Sequence, residues 1–157
     1  SFARVDCPRA RLAIVGDGPV LGSLRKLASE LGLTNRVRFT GRIDYAQMPG
    51  YYAAADFFAI TSTTEVKPLV VLEALASGLP VVAVAACGTQ DTLTHGRDGL
   101  LSECDQPAYT ALLQQAFSQA EQRRKMGEQA RLTAREFAIG PYVRRLTDLY
   151  AGLSRRR

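Results

Sequence analysis

Glu65 and Glu73 are the residues whose type and spacing say most about chemistry. Pro68, between them, suits the first position of a helix, because its φ is fixed and its missing N–H would have no partner there. Glu65 then lies in the loop leading into that helix, and Glu73 about one and a half turns inside it, ~7 Å along the axis from Pro68. Carboxylates that cleave a glycosidic bond flank it and face one another within about 5–10 Å. A pair strung along a helix and its approach loop suits instead the hydroxyls of an extended ligand. A sugar–diphosphate–ribose has that form, with hydroxyls at both ends and phosphates that backbone N–H groups at the helix start would face. The plainer reading makes Glu65 a helix-start carboxylate favoured by the dipole and Glu73 a solvent-facing residue. It explains poorly why Glu73 interrupts the run from Leu69-Val-Val-Leu72 to Ala74-Leu-Ala76, where a carboxylate needs a partner or water.

A second signature is Gly16-Asp-Gly-Pro19. Glycines let the chain turn tightly and approach a phosphate, and the helix start beyond them offers donors and a favourable dipole. Gly16, Gly18 and Gly22, with Arg42 after the next apolar run, also fit an NADP-binding loop and a partner for its 2′-phosphate. A tight turn without a ligand is the plain alternative. His95, in Thr94-His-Gly-Arg-Asp-Gly99, reads as a turn residue rather than a general base. Gly88-Thr-Gln-Asp91 either borders the same cleft or caps a helix through Asp91. One histidine and three cysteines, Cys7, Cys87 and Cys104, without CxxC spacing, make a zinc site unexpected. Free thiols in a domain with its own core point to a reducing cytosol.

The elements that would carry these residues alternate regularly. Residues 11–16, 36–41, 56–61, 80–85 and 99–102 read as strands, the first of them buried. Residues 20–31, 45–54 and 69–76 read as helices, with Asp44 as a cap and with Gly32, Gly78 and Pro80 as stops. From Asp105 onward the chain reads as helices punctuated near Gly127 and at Gly140-Pro141. Strands alternating with helices imply right-handed βαβ units and one parallel sheet covered on both faces. Its ligands gather beyond the carboxyl ends of the strands.

A chain of 157 residues suits one domain with one core, and no repeat or linker divides it. Hydrophobic content of 46% and charged content of 22% are those of an ordinary globular protein, not of a disordered or collagenous one. Apolar stretches such as residues 53–60, broken by Asp56, are too short to span a bilayer. The charged start, with Arg4, Asp6, Arg9 and Arg11, makes no signal peptide. A formal charge of +5 invites a nucleic-acid partner. The excess, however, lies in Arg123, Arg124, Lys125, Arg131, Arg135, Arg144, Arg145 and Arg155-Arg-Arg157, without interleaved aromatic residues. It reads as a solvated basic face with no nucleic-acid partner, while attraction to an anionic membrane surface stays open.

Glu65 and Glu73 match the EX7E motif of retaining glycosyltransferases of family 4. Around them stand Leu12-Ala-Ile-Val-Gly-Asp-Gly-Pro19, Val37-Arg-Phe-Thr-Gly41, Tyr51-Tyr-Ala-Ala-Ala-Asp56, Glu73-Ala-Leu-Ala-Ser-Gly-Leu-Pro-Val-Val82 and His95-Gly-Arg-Asp-Gly-Leu-Leu101. In that order they make nearly the whole chain resemble the C-terminal domain of those enzymes. The resemblance implies that residues 1–157 form a Rossmann-like three-layer α/β/α sandwich, the nucleotide-sugar-binding C-terminal half of a GT-B fold. It makes Glu65 the catalytic residue, holding donor-sugar hydroxyls, and gives Glu73 the ribose hydroxyls. The backbone of Lys67, Pro68 and Leu69 would approach the diphosphate, Gly16 would line the cleft, and Gly41, Arg42 and Ile43 would lie near the base. The donor would be a UDP-, GDP- or ADP-sugar, and a hexosyl group would pass to an acceptor such as a lipid or a polysaccharide. No metal or other cofactor is implied, in keeping with the lack of a DxD motif. Positive charge and helix dipole would stabilise the leaving diphosphate instead. The implied setting is the cytoplasm, or the inner face of the membrane for a peripheral protein.

This sequence departs from the family's pattern. Pro68 replaces a usual glycine and so removes one N–H, and Lys67 replaces a common aromatic and offers an ammonium. The Glu65-Val-Lys-Pro68 variant resembles subfamilies that glycosylate lipids. The family's preceding strand and loop, which bring an arginine and a lysine to the diphosphate, have no counterpart before Arg11. The N-terminal acceptor domain is a partner outside these residues, so donor binding without turnover is expected of them alone. Two other readings compete. An NADP-binding oxidoreductase domain built on Gly16, Gly18, Gly22 and Arg42 leaves Glu65 and Glu73 unexplained. A non-catalytic binding module would keep the fold and lack a ligand cleft.

Overall fold

The apolar runs become five short strands: β1 (Leu12–Val15), β2 (Val37–Gly41), β3 (Phe58–Ile60), β4 (Val81–Val84) and β5 (Gly99–Ser102). Between and after them lie α1 (Leu21–Glu30), α2 (Met48–Ala53), α3 (Leu69–Ala76), α4 (Cys87–Gln90), α5 (Gln106–Ser118), α6 (Ala120–Glu136) and α7 (Ile139–Ser154). Short 3-10 turns occur at Phe2–Arg4 and Tyr45–Gln47. The computed structural model describes residues 1–154, so the arginine-rich end at 155–157 lies outside the described residues.

All strand pairs are parallel, and the packing around β4 gives the layers their physical basis. Side chains alternate across a strand. Val81 and Ala83 accordingly join Val71, Ala74, Leu75 and Ala130 of α3 and α6 on one side. Val82 and Val84 join Leu100, Tyr109, Leu113 and Met126 of β5, α5 and α6 on the other. Each such aliphatic side chain contributes about 1.5–3 kcal/mol on burial. The fold is α/β, with parallel strands and helices on both faces.

Several expectations need correction. The ladder is in two pieces, β1–β2 and β3–β4–β5, rather than one sheet. Residues 11–16 are therefore not a buried strand: β1 pairs with β2 alone, and Ala13 is exposed. No residue from 11 to 47 belongs to either core cluster. Leu24 and Leu27 of α1 and its C-cap Leu31 are exposed, and a cavity of about 680 Å³ lies between α1 and its two strands, bordered by Arg25, Ala28 and Phe39.

The C-terminal helices break at Gln119 and at Phe137-Ala138, not at the glycines. Gly127 lies inside α6, where a Cβ would stand 2.5 Å from the Gly78 carbonyl oxygen, so it marks a close approach to the turn that follows α3. Gly140-Pro141 falls in the first turn of α7, where a missing N–H costs nothing. The single helix expected over 45–54 is instead the 3-10 turn followed by α2, with Asp44 accepting from the Ala46 N–H at 3.0 Å. Among the described residues, no helix is long and apolar enough to cross a membrane.

Candidate functional site

The loops leaving the carboxyl ends of β1 and β2 meet first. The Gly16 N–H donates to the Gly41 carbonyl at 3.0 Å. The two glycines have φ of 123° and 69°, a region that strains any residue with a Cβ. Beyond them Asp17, Gly18 and Arg42 border an open hollow of about 630 Å³, with Asp17 Oδ1 accepting from the Gly18 N–H at 2.8 Å. Ile43, half-buried, leads from this hollow to the Asp44 cap.

The loop after β3 carries Glu65, half-buried, whose Oε1 accepts from the Ser62 hydroxyl at 3.1 Å. Its backbone is fixed from the far side, since the Glu65 carbonyl accepts from the Gly88 N–H at 3.0 Å. A Cβ on Gly88 would stand 2.4 Å from that same oxygen. Thr89 holds the turn in place: its Oγ1 accepts from the Ala86 N–H at 2.9 Å and donates to the Val84 carbonyl at 2.7 Å. The Gly88-Thr-Gln-Asp91 segment thus borders the Glu65 loop. Asp91 caps no helix start and stands at the C-terminal end of α4.

Pro68 is the N-cap of α3 rather than its first helical residue. It is buried with an extended ψ of 98°, and Leu69 opens the helix. The Val71 N–H donates to the Pro68 carbonyl at 3.0 Å, which leaves the Leu69 and Val70 N–H groups at the helix start without an intrahelical acceptor. The Lys67 ammonium lies 3.8 Å from the centroid of the Phe137 ring, a cation–π contact with the junction of α6 and α7.

Glu73 has the partners that its apolar surroundings demand. Its Oε1 accepts from the Tyr45 hydroxyl at 3.1 Å and its Oε2 from the Tyr52 hydroxyl at 2.9 Å. Burial, then the hydrogen bond and charge of Glu73, push the Tyr52 phenol well above the ordinary tyrosine range. Tyr45 is raised chiefly by its hydrogen bond to Glu73 and then by that charge. The pair ties the segment after Arg42 and Ile43 to α3, so the loop that follows β2 and Glu73 adjoin. Neither tyrosine was singled out from the sequence, although Glu73 in an apolar run required a partner of some kind. His95 is exposed in its turn, with Nδ1 accepting from the Leu101 N–H at 3.0 Å. The three cysteines are free thiols.

Residues 1–133 match the family model described as glycosyl transferases group 1. A D-inositol 3-phosphate glycosyltransferase of Corynebacterium urealyticum is 37% identical over 131 residues, which is 83% of this chain and 31% of that protein. A GDP-mannose-dependent alpha-(1-6)-phosphatidylinositol monomannoside mannosyltransferase of Mycobacterium tuberculosis is 40% identical over 99 residues, 59% of this chain and 26% of that one. HepE of Anabaena, solved in complex with UDP, superposes with a TM-score of 0.86 at 25% identity, over 96% of this chain and 43% of that one. The chain therefore spans less than half the length of these proteins. Matched along most of its own length, it belongs to the glycosyl transferases group 1 family and folds like a Rossmann-like half of the GT-B glycosyltransferases.

Proposed function

We propose that the chain is the donor-binding half of a retaining glycosyltransferase that passes a hexosyl group from a nucleoside diphosphate sugar to a lipid or polysaccharide acceptor. The observation that carries this reading is the Glu73 carboxylate, half-buried and already bonded to two hydroxyl groups beside the loops that follow β1 and β2. It is an acceptor suited to a ribose diol. Glu65 faces the sugar as the catalytic residue. Gly41, Arg42 and Ile43 lie by the base, Gly16 lines the cleft, and the backbone around Lys67, Pro68 and Leu69 approaches the diphosphate. The dipole of α3 stabilises the leaving diphosphate without a metal ion. Relatives support this choice of donor and acceptor: one is a GDP-mannose-dependent mannosyltransferase of a phosphatidylinositol monomannoside, and another was solved with UDP bound. Transfer needs a second domain to hold the acceptor in register, and the relatives are more than twice as long as the part matched.

Calorimetry with UDP, GDP and ADP, and with their sugars, tests the reading in the presence of EDTA. One nucleotide is expected to bind. Glu73→Ala should weaken it at least tenfold, since hydrogen bonds to a charged group contribute about 1.5–3 kcal/mol. Glu65→Ala should leave the nucleoside diphosphate unaffected and remove the added affinity of the sugar. Binding by none of these ligands, or fluorescence enhancement of NADPH instead, overturns the proposal.

A further inference from the structure

The two tyrosines on Glu73 are attached to the protein in opposite ways. Tyr52 comes from α2, is 5% exposed, and packs in the core with Val71 and Leu75 and edge-on to Phe58 at 6.1 Å. Its hydroxyl has no route away from Oε2 that keeps the core closed. Tyr45 comes from the 3-10 turn before α2 and is 73% exposed, and its phenol rests on Oε1 from the solvent side. An ionised carboxylate accepts about four hydrogen bonds, and of the two side-chain donors on this one Tyr45 is the exposed one.

We propose that Tyr45 is a displaceable latch on the Glu73 subsite and Tyr52 its fixed counterpart, so that a vicinal diol entering the subsite takes the place of the Tyr45 hydroxyl while Tyr52 holds the carboxylate in position. This rests on the donor-binding reading and deepens it. The exchange is chemically even, with one hydroxyl leaving a carboxylate oxygen and another arriving. A diol brings two hydroxyls at fixed spacing, whereas Tyr45 brings one on an exposed ring. Release of Tyr45 also frees the segment after Gly41, Arg42 and Ile43, because the Asp44-capped turn carries the phenol. Ribose binding and rearrangement of the base-side loop are thereby one event. A ligand without the diol leaves the latch shut.

Spectra of protein labelled with ¹³C at tyrosine Cζ, titrated with base, read the latch without any ligand. Tyr45 should titrate above the ordinary tyrosine range, and Glu73→Gln should return it there. Saturation with whichever of UDP, GDP or ADP binds by calorimetry should move the Tyr45 signal to its Glu73→Gln position and leave Tyr52 in place. Tyr45→Phe should bind that nucleotide roughly two- to tenfold tighter, the worth of one exposed hydrogen bond. It should bind the 2′,3′-dideoxy analogue no better than the unsubstituted chain does. Tyr52→Phe should weaken binding; if it does not fold, the exposed Tyr45→Phe still decides. Tyr45 titrating in the ordinary tyrosine range, with no change on Glu73→Gln, overturns the latch outright. A nucleotide that binds without moving Tyr45 overturns the latch and leaves the donor reading standing. If no nucleotide binds either the chain or Tyr45→Phe, the donor reading fails and the latch falls with it.

Discussion

Gly88 governs the candidate catalytic carboxylate from behind. A Cβ at this position would stand 2.4 Å from the Glu65 carbonyl oxygen and 2.8 Å from that of Val66. Backbone atoms cannot swing aside as the end of a long side chain can. Gly88→Ala must therefore push the loop that carries Glu65, at a cost of about 1–3 kcal/mol of stability. Glu73, on α3 and held by its own tyrosines, should be spared. The expected result is a nucleoside diphosphate bound as before and a nucleotide sugar bound no better than its nucleotide. Calorimetry on the matched pair of ligands checks this, and a sugar increment equal to that of the unsubstituted chain would remove the role given to Gly88. Some of this was legible in the sequence. The Gly88 segment had two readings, a border of the cleft or a helix cap through Asp91, and Glu73 was read as needing a partner or water. The particulars were not, because Tyr45 and Tyr52 lie 28 and 21 positions upstream of Glu73. The position of the Lys67 ammonium likewise depends on where Phe137 arrives from the end of α6.

Hydrophobic periodicity identified strands and helices well where an element is covered on both sides, as at β4, whose four residues are all buried. It misled where covering was assumed. The leucines of α1 and its C-cap have the spacing of a core-facing stripe, yet Leu24, Leu27 and Leu31 are exposed and only Ala28 is buried. Gly127 looked like punctuation because a pattern along one chain cannot register the 2.5 Å approach to Gly78, which comes from the turn after α3. These misses share a cause: tertiary neighbours, not local preference, decide burial and close approach. They also predict a division of stability. With neither core cluster reaching residues 11–47, the β1–α1–β2 unit should open locally while β4, β5 and α5 stay closed. Hydrogen-exchange mass spectrometry should show peptides from 12–41 exchanging well before those from 81–84 and 100–113. Equal protection of the two regions would mean that the unit is held by packing other than the two clusters.

The whole molecule carries a formal charge of +5 together with a long apolar stripe, and these act in opposite directions on its behaviour in solution. On α7, Ile139, Tyr142, Val143, Leu146, Leu149, Tyr150 and Leu153 recur at helical spacing, and each is at least 36% exposed. Monomers rarely keep a contiguous apolar patch of more than a few hundred Å² bare. Charge repulsion resists contact between copies, and salt screens that repulsion over about 10 Å at 0.1 M. The isolated chain should therefore self-associate as its concentration rises, more strongly at 0.5 M salt than at 0.05 M. Replacing Leu149 and Leu153 by glutamate should abolish association with little change in melting temperature, because exposed substitutions usually act within about 0.5 kcal/mol. Sedimentation velocity distinguishes the outcomes. A chain that stays monomeric at every concentration and salt would show that the stripe is too narrow, or too interrupted by Arg144, Arg145 and Asp148, to hold a second copy. Association that weakens with salt would assign the contact to those charges instead.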